Sequence, residues 1–326
     1  MEWEQLAPPG VTTPLGFGAI AVAWAGLFVA AWVLALLFFR RRAEGDQLHG
    51  VAVGTWALKV AMLLHHIIVA PLAFVAIGGD AVTLQTLECF GCSEAAPLLI
   101  RDKALGPSHA AQALVPITVG YMLADLLLIS QWSLPTKGGQ IENMLMLVHH
   151  ALSMITWPHC IWFDFCTRYV LFLVSYELSS IFLTVNWLLS TAGMKQHPVY
   201  FASGLLFTAT FVLTRMVGAV PQLLALWNAP PWVAPTEGVP TYVWMGSIVL
   251  LLPHAMNFFW GVKVIRGFMT VVLGTDSRKP AAQDTDLGTD ADTDTGTNTD
   301  TNTEPSSQSA LAGEAHEEPL LASKKP

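Results

Sequence analysis

Charged residues are scarce in this sequence. They make up 12% of the 326 residues, whereas hydrophobic residues make up 53%. A water-soluble domain needs a charged surface, so this scarcity excludes an ordinary soluble fold. Long uncharged runs recur instead, and about 20 apolar residues are enough to cross a bilayer as a helix. Because backbone groups in lipid must be satisfied internally, the sequence predicts an all-α, multi-pass membrane bundle.

Basic residues are also few, with 16 Lys and Arg against 24 Asp and Glu. The sequence has no basic patch of the kind that binds nucleic acid. Most of the acidic excess lies at the C-terminus, where eleven acidic and four basic residues follow residue 274. This low-complexity segment has few apolar residues and is expected to be disordered. We therefore divide the chain into an N-terminal region (1–49) with one span and an Arg-rich cytosolic loop, a membrane domain (50–272) and an acidic tail (273–326).

About seven segments are predicted to span the membrane. The first is expected to be a true span, not a cleavable leader, because Glu2 and Glu4 precede it and no basic residue does. Loop Lys and Arg residues concentrate on one side of the bundle, which predicts a lumenal or external N-terminus and a cytosolic C-terminus. Those basic residues are Arg40, Arg41, Arg42, Lys137, Lys195, Arg266, Arg278 and Lys279, against Arg101, Lys103 and Arg168 on the other side. The predicted spans are 17–39, 51–77, 111–132, 142–158, 161–190, 200–226 and 241–272.

Cysteines are also rare, with four in the chain. The predicted topology puts all of them on or near the lumenal side, where a disulfide persists. One bridge and buried, reduced thiols both fit the sequence. A single CxxC motif without a second pair does not indicate zinc. The four are Cys89, Cys92, Cys160 and Cys166.

Several polar side chains nevertheless lie inside the predicted spans. Ionisable groups are costly in lipid, so these residues predict a polar-lined cavity inside the bundle. Arg215 is expected to pair with Glu177 or Asp125. Adjacent residues on a helix point about 100° apart, so one histidine of each adjacent pair should face the cavity while the other packs against a helix. The set comprises His65, His66, Asp125, His149, His150, Glu177, Ser180, Asn186, Arg215 and Asn257.

Three further observations limit the chemistry of this set. No HxxxH or HxxE spacing puts two metal ligands on one helix face, so no metal site is expected. Tyr121 and Trp260 fit packing or interface roles. Lys263 lies near the cytosolic end of the last span, where its ammonium group is expected to reach the interface.

Six segments, taken in order, resemble the TLC family, named for the TRAM, LAG and CLN proteins. The resemblance covers about residues 50–272 and is nearest to the TLC-domain-containing branch with an ELS signature. It implies a TLC-type bundle of six helices around the cavity, residence in the endoplasmic reticulum and a role in lipid handling. The matching segments are LKVAMLLHH (58–66), GYMLADLLL (120–128), MLVHHALS (146–153), SYELSSIFL (175–183), FTATFVLTR (207–215) and MNFFWGVKVIRG (256–267).

Ceramide synthases of this family join an acyl chain from acyl-CoA to a sphingoid amine. The resemblance matches the opening His pair of their signature to His149 and His150. Further on, Tyr176, Glu177 and Ser180 stand where the signature has His, Asp and a second Asp. A base and a carboxylate therefore remain as candidate catalytic residues: His149 or His150, with Glu177.

The lost His and Asp favour a protein that binds a lipid or acyl chain, such as a sphingolipid, and affects membrane lipid composition without turnover. The alternative is a ceramide-synthase-like N-acyltransferase with acyl-CoA as substrate. No cofactor is expected for either function.

Overall fold

The computed structural model describes residues 10–79, 106–132, 140–228, 230–232 and 237–272. Cys89, Cys92, Arg101, Lys103, Lys137 and the acidic tail lie outside these residues. The predictions of a disulfide at Cys89 or Cys92 and of a disordered tail therefore stay predictions.

The described residues are almost entirely helical, which confirms the predicted all-α fold. The helix α1 begins after Thr13, whose hydroxyl accepts a hydrogen bond from the backbone N–H of Gly16. A two-stranded hairpin joins α1 to α2, with His49 and Gly50 at positive φ in its turn. The elements are α1 (Pro14–Arg40), β1 (Gln47–Leu48), β2 (Val51–Ala52), α2 (Val53–Gly79), α3 (His109–Trp132), α4 (Gln140–Trp162), α5 (Thr167–Ser175), α6 (Leu178–Thr191), α7 (Pro198–Phe211), a π-helix (Val212–Val217), α8 (Ala219–Asn228), α9 (Thr241–Gly246), a 3₁₀ helix (Ser247–Leu251) and α10 (Leu252–Val272).

Six helical segments in the described part of the chain are long and apolar enough to span a membrane. They correspond to the first, second, third, fifth, sixth and seventh predicted spans. The fourth predicted span is also a helix, α4, and it has 23 residues. It is not among the six, because its sequence carries Glu142, Asn143 and three histidines in an otherwise apolar run.

Three of the predicted spans are interrupted helices. The fifth bends between α5 and α6, at Tyr176 and Glu177. The sixth passes from α7 through a π-helix into α8, and the N–H of Gly218 donates to the carbonyl of Leu213 at 2.8 Å. The seventh contains the 3₁₀ turn between α9 and α10. Such irregular backbone is tolerated at membrane depth where it lies against protein or lines a cavity.

The centre of the bundle is the short helix α5. Eight of its nine residues are buried, Tyr169 and Val170 among them, because α2, α3 and α4 pack around it. The helix α1 lies outside this centre against α2 and α3. A Cβ at Gly120 would lie 2.2 Å from the carbonyl oxygen of Ala21, so α1 and α3 approach more closely than any larger residue allows.

The cysteines in the described residues are Cys160 and Cys166, and both are buried. No disulfide joins Cys160 to Cys166. The expectation of one bridge among the four cysteines stays a prediction, because Cys89 and Cys92 lie outside the described residues.

Candidate functional site

A cavity of about 570 Å³ lies inside the bundle. Helices α2, α3, α4, α5, α6, α7 and α10 contribute to its wall, together with the π-helix. The wall is mostly apolar, but it also carries charged and hydrogen-bonding side chains. The polar, charged and aromatic lining residues are Lys59, His66, Tyr121, Asp125, His149, His150, Tyr176, Glu177, Ser179, Ser180, Thr184, Trp187, Phe207, Phe211, Arg215, Asn257, Trp260 and Lys263.

The carboxylate of Glu177 is the centre of one charged group in this cavity. Its Oε2 lies 3.3 Å from Nε2 of His66, and its Oε1 lies 3.8 Å from Nη2 of Arg215. Three helical segments, α2, the α5–α6 bend and the π-helix, therefore meet at one carboxylate. Of the two partners that the sequence offered Arg215, the structure places Glu177 beside it.

Arg215 also uses its guanidinium group to hold neighbouring backbone and side chains. Its Nε donates to the carbonyl of Tyr176 at 3.1 Å and to Oγ of Ser179 at 3.0 Å. Its Nη1 donates to Oδ1 of Asn257 at 3.1 Å, and its Nη2 donates to Oγ of Ser180 at 3.2 Å. A buried cation needs such satisfaction, and the planar fork of arginine supplies several donors at once.

The two helix interruptions explain this geometry. The bend after α5 leaves the carbonyl of Tyr176 available to Arg215, and it turns Glu177 into the cavity as the residue preceding α6. The π-helix carries Arg215 itself. One extra residue in a helical turn changes the direction of the side chains that follow, and π-turns often occur at functional sites for that reason.

A second His–carboxylate pair lies in the same cavity. Nδ1 of His150 is 3.5 Å from Oδ2 of Asp125, which is completely buried. His149 and His150 were both candidates to pair with Glu177. The ion pairs in the structure join His66 to Glu177 and His150 to Asp125, because α3 packs against α4 at this depth, and His149 interacts with Glu177 electrostatically from a longer distance.

The two adjacent histidines of α4 both line the cavity. The expectation that one of them would pack elsewhere is wrong, because the cavity is wide enough to accept two side chains about 100° apart. His150 is buried, and the ring of His149 packs on those of His150 and Trp157, with centroids 5.7 and 6.5 Å away.

The adjacent histidines of α2 were both predicted for the cavity, but only one of them is in its lining. His66 lines the cavity, whereas His65 lies behind the wall. Nδ1 of His65 accepts a hydrogen bond from the indole N–H of Trp24 at 3.1 Å, and its ring stacks on Tyr121 at 4.1 Å. His65 therefore supports the cavity wall and is not in the lining.

Of the remaining predicted site residues, two line the cavity and one lies outside the lining. Ser180 and Asn257 line the cavity and bond to Arg215. Asn186 is outside the lining, and its amide donates to the carbonyl of Tyr200 at 2.9 Å and to Oγ of Ser203 at 3.1 Å. Asn186 thus ties α6 to α7.

Several lining residues were missed by the sequence analysis or assigned other roles. Tyr121 and Trp260 were assigned to packing or an interface, and Lys263 to the interface. Lys59 was not singled out, although it is one lysine in a long apolar run and stands seven residues before His66. Seven residues are nearly two helical turns, so that spacing placed Lys59 and His66 on one face of α2.

Several buried polar atoms in the cavity wall have no hydrogen-bond partner among the described residues. These are the hydroxyl of Tyr176, Nδ2 of Asn257, both carboxylate oxygens of Asp125, both ring nitrogens of His66 and Nδ1 of His150. Buried polar groups are normally satisfied, and each exception requires an explanation. Donors and acceptors that face a cavity in this way are suited to a ligand with polar groups.

A further buried pair lies beside the cavity. The hydroxyl of Tyr169 hydrogen-bonds to Nε2 of His254 and to the carbonyl of Leu250, 3.1 Å away. The 3₁₀ turn before α10 exposes this carbonyl to Tyr169. The pair joins α5 to the last membrane helix. Among the described residues, no three His, Cys, Asp or Glu side chains are grouped as metal ligands.

Comparison of the sequence with known proteins identifies a family. The sequence profile of the TLC domain matches residues 55–266, more than half of the chain. The chain is 26% identical over 179 residues to TLC domain-containing protein 4-A of Xenopus laevis, covering 53% of this chain and 65% of that protein. It is 25% identical over 187 residues to TLC domain-containing protein 4-B of Danio rerio, covering 53% and 64%. The chain thus spans a little under two thirds of these relatives. No solved structure matches it.

Proposed function

This chain belongs to the TLC domain family, and from that premise we propose that it binds a lipid or an acyl chain in its intramembrane cavity. Its role is then in membrane lipid homeostasis, through the lipid that it holds. The cavity itself is the observation that carries this proposal. Its volume of about 570 Å³ falls within the range of about 300–1,000 Å³ that is usual for small-molecule sites.

The composition of the wall fits an amphiphilic ligand. Apolar side chains such as Leu58, Leu183 and Phe207 offer contacts for a hydrocarbon chain. The hydroxyl of Tyr176 and the amide nitrogen of Asn257 offer hydrogen bonds to a polar group. An entirely apolar ligand would leave these groups unsatisfied, at a cost of about 1–3 kcal/mol each.

Lipid that copurifies with the protein tests this function. The full chain is purified in detergent, and bound lipid is extracted and quantified by mass spectrometry. The variant Thr184→Trp places a large ring in the cavity, because Thr184 is a buried lining residue. Leu206→Trp is the matched control, since Leu206 is half exposed and outside the lining.

We expect stoichiometric lipid in the native protein and in Leu206→Trp, and a clear loss in Thr184→Trp. Thermal unfolding of the three proteins separates a filled cavity from a misfolded chain. Native protein without specific lipid, or equal lipid in all three, would contradict the proposal.

The His150–Asp125 pair favours a second candidate, an N-acyltransferase that uses acyl-CoA. In this reaction the amine nitrogen attacks the thioester carbonyl, and the carbon–sulfur bond breaks as the amide bond forms. His150 takes the proton that the amine loses and then gives it to the departing thiolate, which leaves as the thiol. Asp125, 3.5 Å from Nδ1 of His150, orients the imidazole ring for this transfer, as carboxylates do for catalytic histidines.

An assay for amide product distinguishes the two functions. Reconstituted protein is supplied with a long-chain acyl-CoA and a sphingoid amine, and the N-acylated product is measured by mass spectrometry. If the protein is an enzyme, His150→Ala and Asp125→Asn should each reduce the product about 100-fold or more. The control His159→Asn should retain activity, because His159 is outside the cavity lining; its ring bonds to the carbonyl of Ile155 and packs on Trp162 and Tyr242. Bound lipid without any product would refute the enzyme and leave lipid binding as the function.

We also propose residence in the endoplasmic reticulum, with a lumenal N-terminus and a cytosolic C-terminus. Supporting this orientation, α1 ends at Arg40, Lys195 lies between α6 and α7, and Arg266 lies near the end of α10. These positions share one side if α4 also crosses the membrane, and basic loops favour the cytosol. N-glycosylation acceptor sites inserted before α1 and after α10 should be modified only before α1.

A further inference from the structure

The end of the cavity nearest the start of α2 has a different chemistry from its deeper part. Lys59 enters the wall from α2, and Lys263 enters it from α10. Lys59 stands seven residues before His66 in α2, which is about 10 Å along the helix axis. The two lysines therefore line a cationic region that is separate from the group around Glu177.

Lys59 has unusual surroundings for a lysine. Its Nζ lies 3.8 Å from Sδ of Met62 and 5.8 Å from the centre of the Trp187 ring. It forms no ion pair with a carboxylate among the described residues. The described carboxylates of the cavity have other neighbours, since Glu177 lies between His66 and Arg215 and Asp125 lies beside His150.

A lysine in an apolar wall is normally paired or reaches solvent. Its close neighbours are a thioether and an indole ring, and the carboxylate of Asp125 attracts its ammonium group from beyond ion-pair distance. This attraction compensates the buried charge only in part. An anion in the cavity would supply that compensation. Lys263 is exposed at the same cavity, where its ammonium group lies 4.5 Å from the centre of the Phe259 ring. Its position on α10 allows it to contact the same anion.

Aromatic rings complete this region. Trp187 lies near the C-terminal end of α6, and Trp260 stands one turn before Lys263. Indole rings favour the boundary between apolar and polar surroundings. The order along the cavity is therefore cationic and aromatic at one end and His–carboxylate at depth, with apolar side chains along the wall.

From this order we infer that Lys59 and Lys263 form a subsite for the anionic headgroup, phosphate or carboxylate, of the amphiphilic ligand. This inference rests on the proposed function and adds the chemical class of the ligand. The hydrocarbon part of the ligand then contacts the apolar wall, and its remaining polar groups reach Tyr176 and Asn257. A neutral alcohol of equal chain length lacks the group that the lysines recognise.

Binding of a matched set of single-chain probes tests the subsite. Dodecyl phosphate, dodecanoate and dodecanol are titrated into the full chain in a neutral maltoside detergent, and binding is measured from the shift of the thermal unfolding midpoint. The variants are Lys59→Met and Lys263→Met, which keep an unbranched side chain and remove the charge. Lys59→Arg keeps the charge, and Lys195→Met is the control at an exposed lysine between α6 and α7.

The native protein should bind both anionic probes about 10- to 100-fold more tightly than dodecanol, as expected for a hydrogen bond to a charged group. Lys59→Met and Lys263→Met should reduce this preference at least tenfold, while dodecanol binds as before. Lys59→Arg and Lys195→Met should keep the preference. These variants share one fold if their unfolding midpoints without probe agree.

Four results would overturn the subsite. Dodecanol could bind as tightly as the anions, or Lys59→Met could keep the full preference. In either case the lipid-binding function would stand and only the headgroup assignment would fail. Inorganic phosphate that displaced dodecyl phosphate at equal concentration would show a site for the free ion instead of an amphiphile. Failure of all three probes to bind the native protein would contradict the proposed function as well.

Discussion

The group around Arg215 allows the most direct test of how this membrane bundle is held together. Arg215→Met removes the guanidinium group and keeps a long, unbranched side chain. The change removes four hydrogen bonds of 3.0–3.2 Å, to Tyr176, Ser179, Asn257 and Ser180, and the 3.8 Å contact with Glu177. Glu177 is then left in the cavity with His66 as its ionic partner.

The magnitude follows from the loss of one member of a largely buried ion pair, whose side chains are 11% and 19% exposed. Such a loss costs about 3–5 kcal/mol, because the remaining charge is desolvated and has lost its main partner. At roughly 2–4 °C per kcal/mol, the unfolding midpoint should fall by about 10 °C. The double variant Arg215→Met/Glu177→Gln removes the unpaired charge as well. It should recover about 1–2 kcal/mol relative to the single variant, since neighbouring sites are not additive.

Thermal unfolding in detergent, followed by tryptophan fluorescence, measures these differences. Arg266→Met is the matched control, because Arg266 is exposed near the end of α10. It should unfold within about 0.5 kcal/mol of the native protein. A loss below about 1 kcal/mol in Arg215→Met, or a double variant less stable than the single one, would refute the assignment of Arg215 and Glu177 as an energetically coupled pair.

Three other substitutions test separate features. Gly120→Ala would place a Cβ 2.2 Å from a carbonyl oxygen of α1, so it should lower the free energy of unfolding by about 1–3 kcal/mol. The control is Gly26→Ala, whose Cβ would meet nothing within 4 Å; it should have little effect in the same unfolding assay. Tyr176→Phe removes a hydroxyl without a described partner. It should reduce copurified lipid but leave the unfolding midpoint of the delipidated protein unchanged; a lower midpoint of the delipidated protein with unchanged lipid would contradict its role towards the ligand. Trp24→Phe removes the donor to His65 and should cost about 1 kcal/mol, so an unchanged midpoint would show that this bond adds nothing.

The pairing of the site residues shows what sequence reasoning achieved and where it stopped. It identified the polar residues of the membrane domain, because ionisable groups in apolar runs are conspicuous. It did not identify the partner of each. Glu177 appeared as the partner of the α4 histidines, but the packing of α3 on α4 brings Asp125 to His150, and α2 brings His66 to Glu177. Helix neighbours are set by packing, which spacing along the chain does not contain.

The helix interruptions could not be predicted from hydropathy either. An apolar run indicates a span, and the run 200–226 reads as one continuous helix. Its π-turn and the bend before α6 become favourable only when Arg215 and the carbonyl of Tyr176 meet across two helices. A polar residue within a span also need not face the cavity. Asn186 was predicted to line it, but its bonds to Tyr200 and Ser203 place it between α6 and α7.

The amino-acid sequence by itself determined that this protein lies in a membrane, that it is helical, and that its membrane domain is of the TLC type. These properties follow from local composition and from the order of short motifs, which need no knowledge of neighbours. Only the tertiary structure decided that the polar residues enclose one cavity, that Glu177 and Asp125 each take a different histidine, and that Lys59 faces the same space. The physical reason is that a buried charge is stabilised by atoms a few ångströms away in space, and those atoms belong to helices that are distant in the chain.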